Sequence, residues 1–207
     1  MDNRPIGVFD SGLGGLTAVQ KLIELLPNED IIYLGDTGRV PYGGRSRETI
    51  IKYARQDIAF LTSFDIKAIV IACGTVSTTA MGEIENDYDL PIAGVVLPAV
   101  EKAVKVTKNK RIGLIGTVAS INSRAYDRLI LERLPDAEIF SAACPLLVPL
   151  VENGRINRGD IMIETAVREY LTPIKEQGVD TLILGCTHYP LIGDVIGDFM
   201  GGEVSLI

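Results

Sequence analysis

The sequence predicts an α/β protein with two similar parallel-sheet domains, related by a pseudo-twofold axis, and a site in the cleft between them. Short β-rich runs alternate with helical patterns along the 207 residues, as in parallel sheets. Residues 68–72 are apolar throughout, which is typical of a parallel strand covered on both faces. The same order of elements then starts again near residue 111. We predict one domain over 1–95 and a second over 96–204, with the chain rejoining the first from about residue 205.

The first half is predicted from four apolar runs and the helical spacing between them. Leu16, Val19, Leu22 and Leu26 recur every three or four residues, and Pro27 ends that helix. The predicted elements are strand 6–9, helix 16–26, strand 31–34, a Gly- and Pro-rich loop over 35–45, helix 50–61, strand 68–72, helix 77–85, strand 92–96 and a helix to about 108.

The second half repeats this order. Its predicted elements are strand 111–115, helix 123–134, strand 137–141, helix 162–176, strand 181–184, helix 191–200 and a strand over 204–207. In each half one strand ends in a cysteine with a threonine close behind it, at residues 70–75 and 183–187. This correspondence indicates two related units.

Composition excludes several classes of protein. Twenty-seven acidic residues against twenty basic ones give a net charge of −7, so we expect neither a direct nucleic-acid partner nor an anionic membrane. The apolar runs are far shorter than the roughly 20 residues of a membrane span. Residues 1–9 followed by Asp10 predict no signal peptide. Three cysteines without a CxxC pair fit a reducing compartment, so the expected location is the cytoplasm.

The two strand-end cysteines, Cys73 and Cys186, are the candidate catalytic residues. Ligands of open parallel sheets bind at the carboxyl ends of the strands. Two thiols facing one carbon from opposite sides form an acid/base pair that inverts a stereocentre. His188 is placed to assist Cys186, and Asp10 to assist Cys73. A helix N-terminus directly after each cysteine would favour the thiolate.

Less specific interpretations stay open beside this one. A strand-end cysteine is often a small core residue, and Cys144, which precedes Pro145, is interpreted in that way. Zinc binding by Cys186 and His188 is disfavoured, because a closed zinc site needs four ligands and the chain has one histidine. The glycine-rich turn at 10–15 is either a cradle for a carboxylate or a tight turn for helix packing. No lysine lies at a candidate strand end, so we expect no pyridoxal phosphate.

Four segments, at residues 6–16, 33–37, 41–43 and 184–191, resemble the signature segments of bacterial glutamate racemases. The resemblance runs from residue 6 to the end of the chain. It implies a cofactor-independent enzyme that interconverts L- and D-glutamate for peptidoglycan synthesis, with no metal and as a homodimer. It also implies that Cys73 deprotonates the D-isomer and Cys186 the L-isomer.

The resemblance further implies a set of substrate contacts. These are Asp10, Ser11, Pro41, Tyr42, Gly43, Gly74, Thr75, Thr117, Glu152 and Thr187. The family usually has asparagine where this chain has Gly74, and its pattern continues beyond residue 207 with helices that complete the first domain. Two alternatives remain: a racemase of aspartate or another acidic amino acid, and a non-catalytic homologue that acts as a binding or regulatory protein.

Overall fold

The computed structural model describes residues 2–207 and confirms the α/β class. Within these residues the strands are β1 Ile6–Asp10, β2 Ile31–Gly35, β3 Ala68–Ile71, β4 Ile92–Gly94, β5 Arg111–Gly116, β6 Glu138–Ala143, β7 Thr181–Leu184 and β8 Ser205–Leu206. They form two parallel four-stranded sheets in the orders β2-β1-β3-β4 and β6-β5-β7-β8. The second order repeats the first, which confirms two similar parallel-sheet units.

Helices connect the strands, as the crossovers between parallel strands require. Within residues 2–207 they are α1 Leu16–Leu25, α2 Arg47–Thr62, α3 Gly74–Thr79, α4 Met81–Ile84, α5 Val96–Val106, α6 Val118–Asn122, α7 Ala125–Arg133, α8 Leu147–Glu152, α9 Ile161–Lys175, α10 Gly193–Met200 and a short 3-10 helix Tyr189–Ile192.

The long helices lie where their apolar spacing predicts them, and the short ones do not. The helix predicted over 77–85 is two helices, α3 and α4, and it begins at Gly74. Helices α6 and α8 are absent from the prediction. Apolar periodicity needs a window of 11–18 residues, so helices of four to six residues carry too little of it. The threonines of α3 are also poor helix formers.

Each sheet has its own apolar core. In the first unit Ile50, Ile58 and Leu61 of α2 are fully buried against the sheet. In the second unit, Val167 and Leu171 of α9 are likewise fully buried in the core. Burying each such side chain stabilises the fold by roughly 1.5–3 kcal/mol. In each unit a helix packed against the sheet therefore helps to fix the positions of the strands.

One predicted boundary needs correction. Strand β8 pairs with Thr181 and Leu182 of β7, so residues 205–207 belong to the second sheet and do not rejoin the first. The chain crosses to the second unit through α5, whose Val96 and Val100 pack in a cluster with residues of β5 and β7. The division at 95/96 stays a prediction, and Met1 lies outside the described residues. In residues 2–207 none of the helices has the length and apolar character needed to span a membrane.

Candidate active site

The central strands of both sheets carry the candidate residues at their carboxyl ends. Asp10 ends β1, and Cys73 follows the neighbouring strand β3. In the second sheet Thr117 follows β5 and Cys186 follows β7. Because neighbouring parallel strands end at the same edge, each sheet presents one thiol beside one polar side chain.

The two edges share one small cavity of about 20 Å³. Its lining contains these predicted residues: Ser11, Pro41, Tyr42, Gly43, Cys73, Gly74, Thr75, Thr117, Cys186, Thr187 and His188. Both thiols therefore face the same cavity, one from each half of the chain. Asp10 and Glu152 lie behind this lining and reach it through Thr187 and His188.

Cys73 is buried at the start of α3. Its thiol donates a hydrogen bond to Ser11 Oγ over 3.2 Å. Burial raises the pKa of Cys73 to about 11, and the nearby charge of Asp10 acts in the same direction. The N-terminus of α3 only partly opposes this effect, through the backbone N–H of Val76. A helix does begin directly after Cys73, as a helix N-terminus that favours the thiolate requires, but its effect on the pKa of the thiol is smaller than that of burial.

Cys186 is the matching thiol of the second half. Its Sγ lies 3.7 Å from Nδ1 of His188, and Nε2 of His188 lies 3.0 Å from Oε1 of Glu152. An imidazole that donates from Nε2 to the carboxylate presents a lone pair on Nδ1 to the thiol. Burial raises the pKa of Cys186. Within residues 2–207 no helix begins directly after Cys186, contrary to the prediction, because a turn precedes the 3-10 helix at Tyr189.

Asp10 occupies the glycine-rich turn itself. Its Oδ2 accepts hydrogen bonds from the backbone N–H groups of Gly12 and Gly15, both over 3.0 Å. The turn thus binds a carboxylate of its own chain, and these two N–H groups are already used. Burial raises the pKa of Asp10, and the N–H of Gly15 partly opposes this. Thr187 of the second half donates to Oδ1 over 3.4 Å.

Hydroxyl groups join the two halves across the cavity. Thr75 Oγ1 lies 2.9 Å from Thr117 Oγ1, which in turn lies 3.0 Å from Ser120 Oγ. Both predicted threonines therefore contact each other in the structure. Ser120 was not predicted, because it lies on the short helix α6, which periodicity does not reveal. Val40 and Val148 also line the cavity without having been predicted, and each directly precedes a proline.

Three glycines of the first half lie where a side chain would strike the second half. A Cβ on Gly14 would lie 2.6 Å from Nδ1 of His188, and one on Gly43 would lie 2.5 Å from Cβ of Thr117. A Cβ on Gly74 would lie 2.5 Å from the backbone oxygen of Gly185. At these three positions the backbone of the first half therefore lies directly against the second half, with no room for a side chain between them.

The remaining candidate groups stay outside the site. Cys144 is fully buried in the core of the second unit, which confirms its interpretation as a packing residue. Over residues 2–207 no three His, Cys, Asp or Glu side chains cluster in the way that metal ligands do.

The raised thiol pKa values should make the fold less stable in alkali. Burial raises the pKa of Cys73 to about 11 and that of Cys144 to about 12. A raised pKa in the folded state stabilises the fold below the unfolded pKa, and this contribution is lost as the pH rises toward the folded pKa. From about pH 9 to 10, below the ordinary pKa of tyrosine, the free energy of unfolding should fall by up to about 1.4 kcal/mol per pH unit for each thiol.

Urea unfolding at pH 8, 9 and 10 measures this loss. Cys144→Ala is the control variant, since it removes one buried thiol that lies outside the cavity. Its free energy of unfolding should fall less steeply with pH than that of the unmodified chain. Equal slopes for the two proteins would contradict the assignment of a raised pKa to Cys144.

Comparison with known proteins agrees with this geometry. A family model described as Asp/Glu/Hydantoin racemase matches residues 6–205. A glutamate racemase of Geobacter metallireducens is 45% identical over 204 residues, which are 99% of this chain and 75% of that protein. One from Persephonella marina is 51% identical over 191 residues, or 92% of this chain and 73% of that protein.

Solved structures show the same likeness. A glutamate racemase isoform from Bacillus anthracis superposes with a TM-score of 0.96 at 39% identity, over 100% of this chain and 77% of that one. The enzyme from Francisella tularensis, solved in complex with D-glutamate, gives a TM-score of 0.92 at 42% identity, over 100% of this chain and 76% of that one.

Proposed function

Because this chain belongs to the Asp/Glu/hydantoin racemase family, we propose that it interconverts L- and D-glutamate by a two-base mechanism that needs no cofactor. Relatives at 45–51% identity over nearly the whole chain are glutamate racemases. The observation that carries the mechanism is that Cys73 and Cys186, one from each half, line the same cavity.

The reaction requires one thiolate and one thiol. With D-glutamate, the thiolate of Cys73 takes the α-proton, and the C–H electron pair stays on the α-carbon as a carbanion delocalised into the carboxylate. The thiol of Cys186 then gives its proton to the other face. L-Glutamate leaves Cys73 as the thiol and Cys186 as the thiolate, so the reverse reaction is ready to run.

The raised thiol pKa values serve this chemistry. A thiolate with a high pKa is a strong base, which the weakly acidic α-proton requires. The ammonium group of glutamate, once beside the sulfur, favours the thiolate by charge attraction. On the Cys186 side we assign His188 as the group that accepts the thiol proton and Glu152 as the group that orients the imidazole. On the other side, the charge of Asp10 strengthens Cys73 as a base.

Substrate entry requires the two halves to separate. A cavity of about 20 Å³ holds roughly one water molecule, whereas glutamate has five carbons and two carboxylates. The hydroxyls of Ser11, Thr75 and Thr117 are paired with protein groups in this structure. We propose that they exchange these partners for glutamate, together with Thr187 and the backbone of residues 41–43 and of Gly74.

Incubation with D-glutamate in deuterated water tests the function. The circular-dichroism signal should decay to zero, because the equilibrium constant between enantiomers is one. Deuterium should appear at the α-carbon of the product, since the returning proton comes from a thiol that exchanges with solvent. No change in either signal would contradict the enzyme assignment, and binding of D-glutamate without exchange would instead favour the non-catalytic homologue.

The same assay with aspartate and other amino acids tests the second alternative. Gly74 replaces the asparagine usual in the family, so the chain lacks an amide that would contact substrate. Faster turnover of another acid would transfer the assignment to a related racemase. We also propose from the family that the chain supplies D-glutamate to peptidoglycan synthesis and forms a homodimer, and from its free cysteines that it works in the cytoplasm.

A further inference from the structure

The buried face of α2 carries one acidic residue, Asp57. The other buried positions of that helix are apolar: Ile50, Ile51, Ala54, Ile58 and Leu61. A carboxylate inside an apolar core destabilises the fold unless it is hydrogen-bonded or paired. Asp57 must therefore have hydrogen-bonding partners that compensate for its burial. These partners identify the part of the structure that Asp57 holds in place.

Both oxygens of Asp57 point to one loop. Nη2 of Arg39 donates to Oδ1 over 2.5 Å, and the hydroxyl of Tyr42 donates to Oδ2 over 2.8 Å. Asp36 contacts the same two partners: Nε of Arg39 lies 2.5 Å from its Oδ2, and the single hydroxyl hydrogen of Tyr42 is shared between Asp36 and Asp57. The guanidinium lies over the ring of Tyr53, 4.4 Å from its centroid. One cation and one phenol thus link two carboxylates.

Tyr42 belongs to the wall of the cavity, together with Pro41 and Gly43. Its side chain is buried, and its hydroxyl bonds to Asp36 and Asp57. The carbonyl of Gly43 accepts the N–H of Ala119 from the second half over 3.0 Å. A small displacement of this wall would therefore disturb both its contacts to substrate and its contact to the opposite half.

Asp57 differs from Asp36 in where it is anchored. Asp36 directly follows β2 in the segment that leads into the loop, where its N–H donates to the carbonyl of Asp10. Asp57 lies in the middle of α2, between buried residues of the core. Of the two carboxylates, Asp57 is the one that ties Tyr42 to a helix of the core.

We propose that Asp57 is a positioning residue for the substrate-binding wall, residues 40–43, and acts through the hydroxyl of Tyr42. This inference rests on the proposed function. The wall holds glutamate in the ground state and in the transition state alike, so a displaced wall weakens binding in general. Loss of such uniform binding raises KM and leaves kcat nearly unchanged.

Asp57→Asn and Asp57→Ala test the proposal in the full chain. The asparagine variant keeps the shape and removes the charge, so it retains the fold if the alanine variant does not. We expect KM for D-glutamate and the calorimetric Kd to rise about tenfold, the size expected from losing one hydrogen bond to a charged group, with kcat within about threefold. Combining Asp57→Ala with Tyr42→Phe should cost no more than the larger single effect, since one acts through the other.

Asp180→Asn is the matched control. Asp180 also holds a loop, through the N–H groups of Lys108 and Asn109 and the hydroxyl of Thr107, but at the amino end of β7, away from the cavity. Its KM and Kd should equal those of the unmodified chain. An unchanged KM and Kd in a folded Asp57→Asn protein, full additivity with Tyr42→Phe, or an equal rise in Asp180→Asn would each overturn the proposal.

The two assignments fail in different ways. If the unmodified chain binds D-glutamate but does not turn it over, the proposed function fails and the Kd comparison still decides the role of Asp57. If it turns D-glutamate over normally and the Asp57 variants do the same, only the positioning role fails.

Discussion

Cys186→Ala should abolish racemisation while leaving proton exchange on D-glutamate. The variant keeps Cys73, the proposed base for the α-proton of the D-isomer, but it has no donor on the opposite face. The carbanion then recovers its proton, or a deuteron from solvent, on the face that lost it. We expect the racemisation rate to fall by at least about 10³-fold, because general acid–base groups contribute about 10² to 10⁴ each and this one has no substitute. Nuclear magnetic resonance and chiral chromatography in deuterated water separate exchange from inversion.

Cys73→Ala should show the mirror pattern. It should exchange the α-proton of L-glutamate, leave that of D-glutamate in place and racemise neither. Racemisation must fail in both directions together. The equilibrium constant between the enantiomers is one, so kcat/KM must be the same for D- and L-glutamate. Cys144→Ala is the control, because that thiol lies in the core of the second unit and outside the cavity. Substantial racemisation by either cavity variant would refute a mechanism with one thiol on each face.

Although the family usually has asparagine at this position, Gly74→Ala should lower kcat/KM by about 100-fold in this chain, because its halves close with no room for a Cβ on residue 74. A methyl group at this position would lie 2.5 Å from the carbonyl oxygen of Gly185 and 3.3 Å from its carbon. Both atoms are backbone at the end of β7, so they cannot rotate away as a side chain would. The contact lies beside both thiols, and a displacement of about 1 Å at reacting groups costs on the order of 100-fold. Steady-state racemisation by circular dichroism measures the loss.

Gly82→Ala is the matched control for this substitution. Gly82 lies on α4, is exposed, and has open space where a Cβ would be placed. Alanine there should leave kcat/KM unchanged and raise the thermal midpoint slightly, because alanine favours helix and restricts the unfolded chain. If Gly74→Ala keeps full activity, the backbone contact with Gly185 does not set the closed geometry.

The long elements of the fold were predictable because their signals are local. Strand 68–72 is continuously apolar, and helix α2 carries its apolar residues at regular spacing, so both could be placed from the sequence. Helices α6 and α8 were missed because five or six residues show no period. Strand β8 was assigned to the wrong sheet, since its pairing with β7 depends on a contact between residues more than twenty apart.

The candidate site also has features that the sequence indicated and features that it did not. The matched cysteines, the glycine-rich turn and the segment with Cys186, Thr187 and His188 indicated acid–base chemistry between two units, because each is a short, contiguous pattern. The use of the turn by Asp10 itself was not predictable, since either a ligand or the chain's own carboxylate satisfies the same N–H groups.

By itself, then, the sequence determined the fold class, the two units and the pair of thiols, since strand periodicity and chain order bring strand ends to one edge. Only the tertiary structure decided that Asp57 is hydrogen-bonded to Tyr42, that Glu152 is hydrogen-bonded to His188 and that Gly74 lies against the backbone of Gly185. Such contacts join residues far apart in the chain, and their energies depend on burial and on distances of a few ångströms, which no local pattern records.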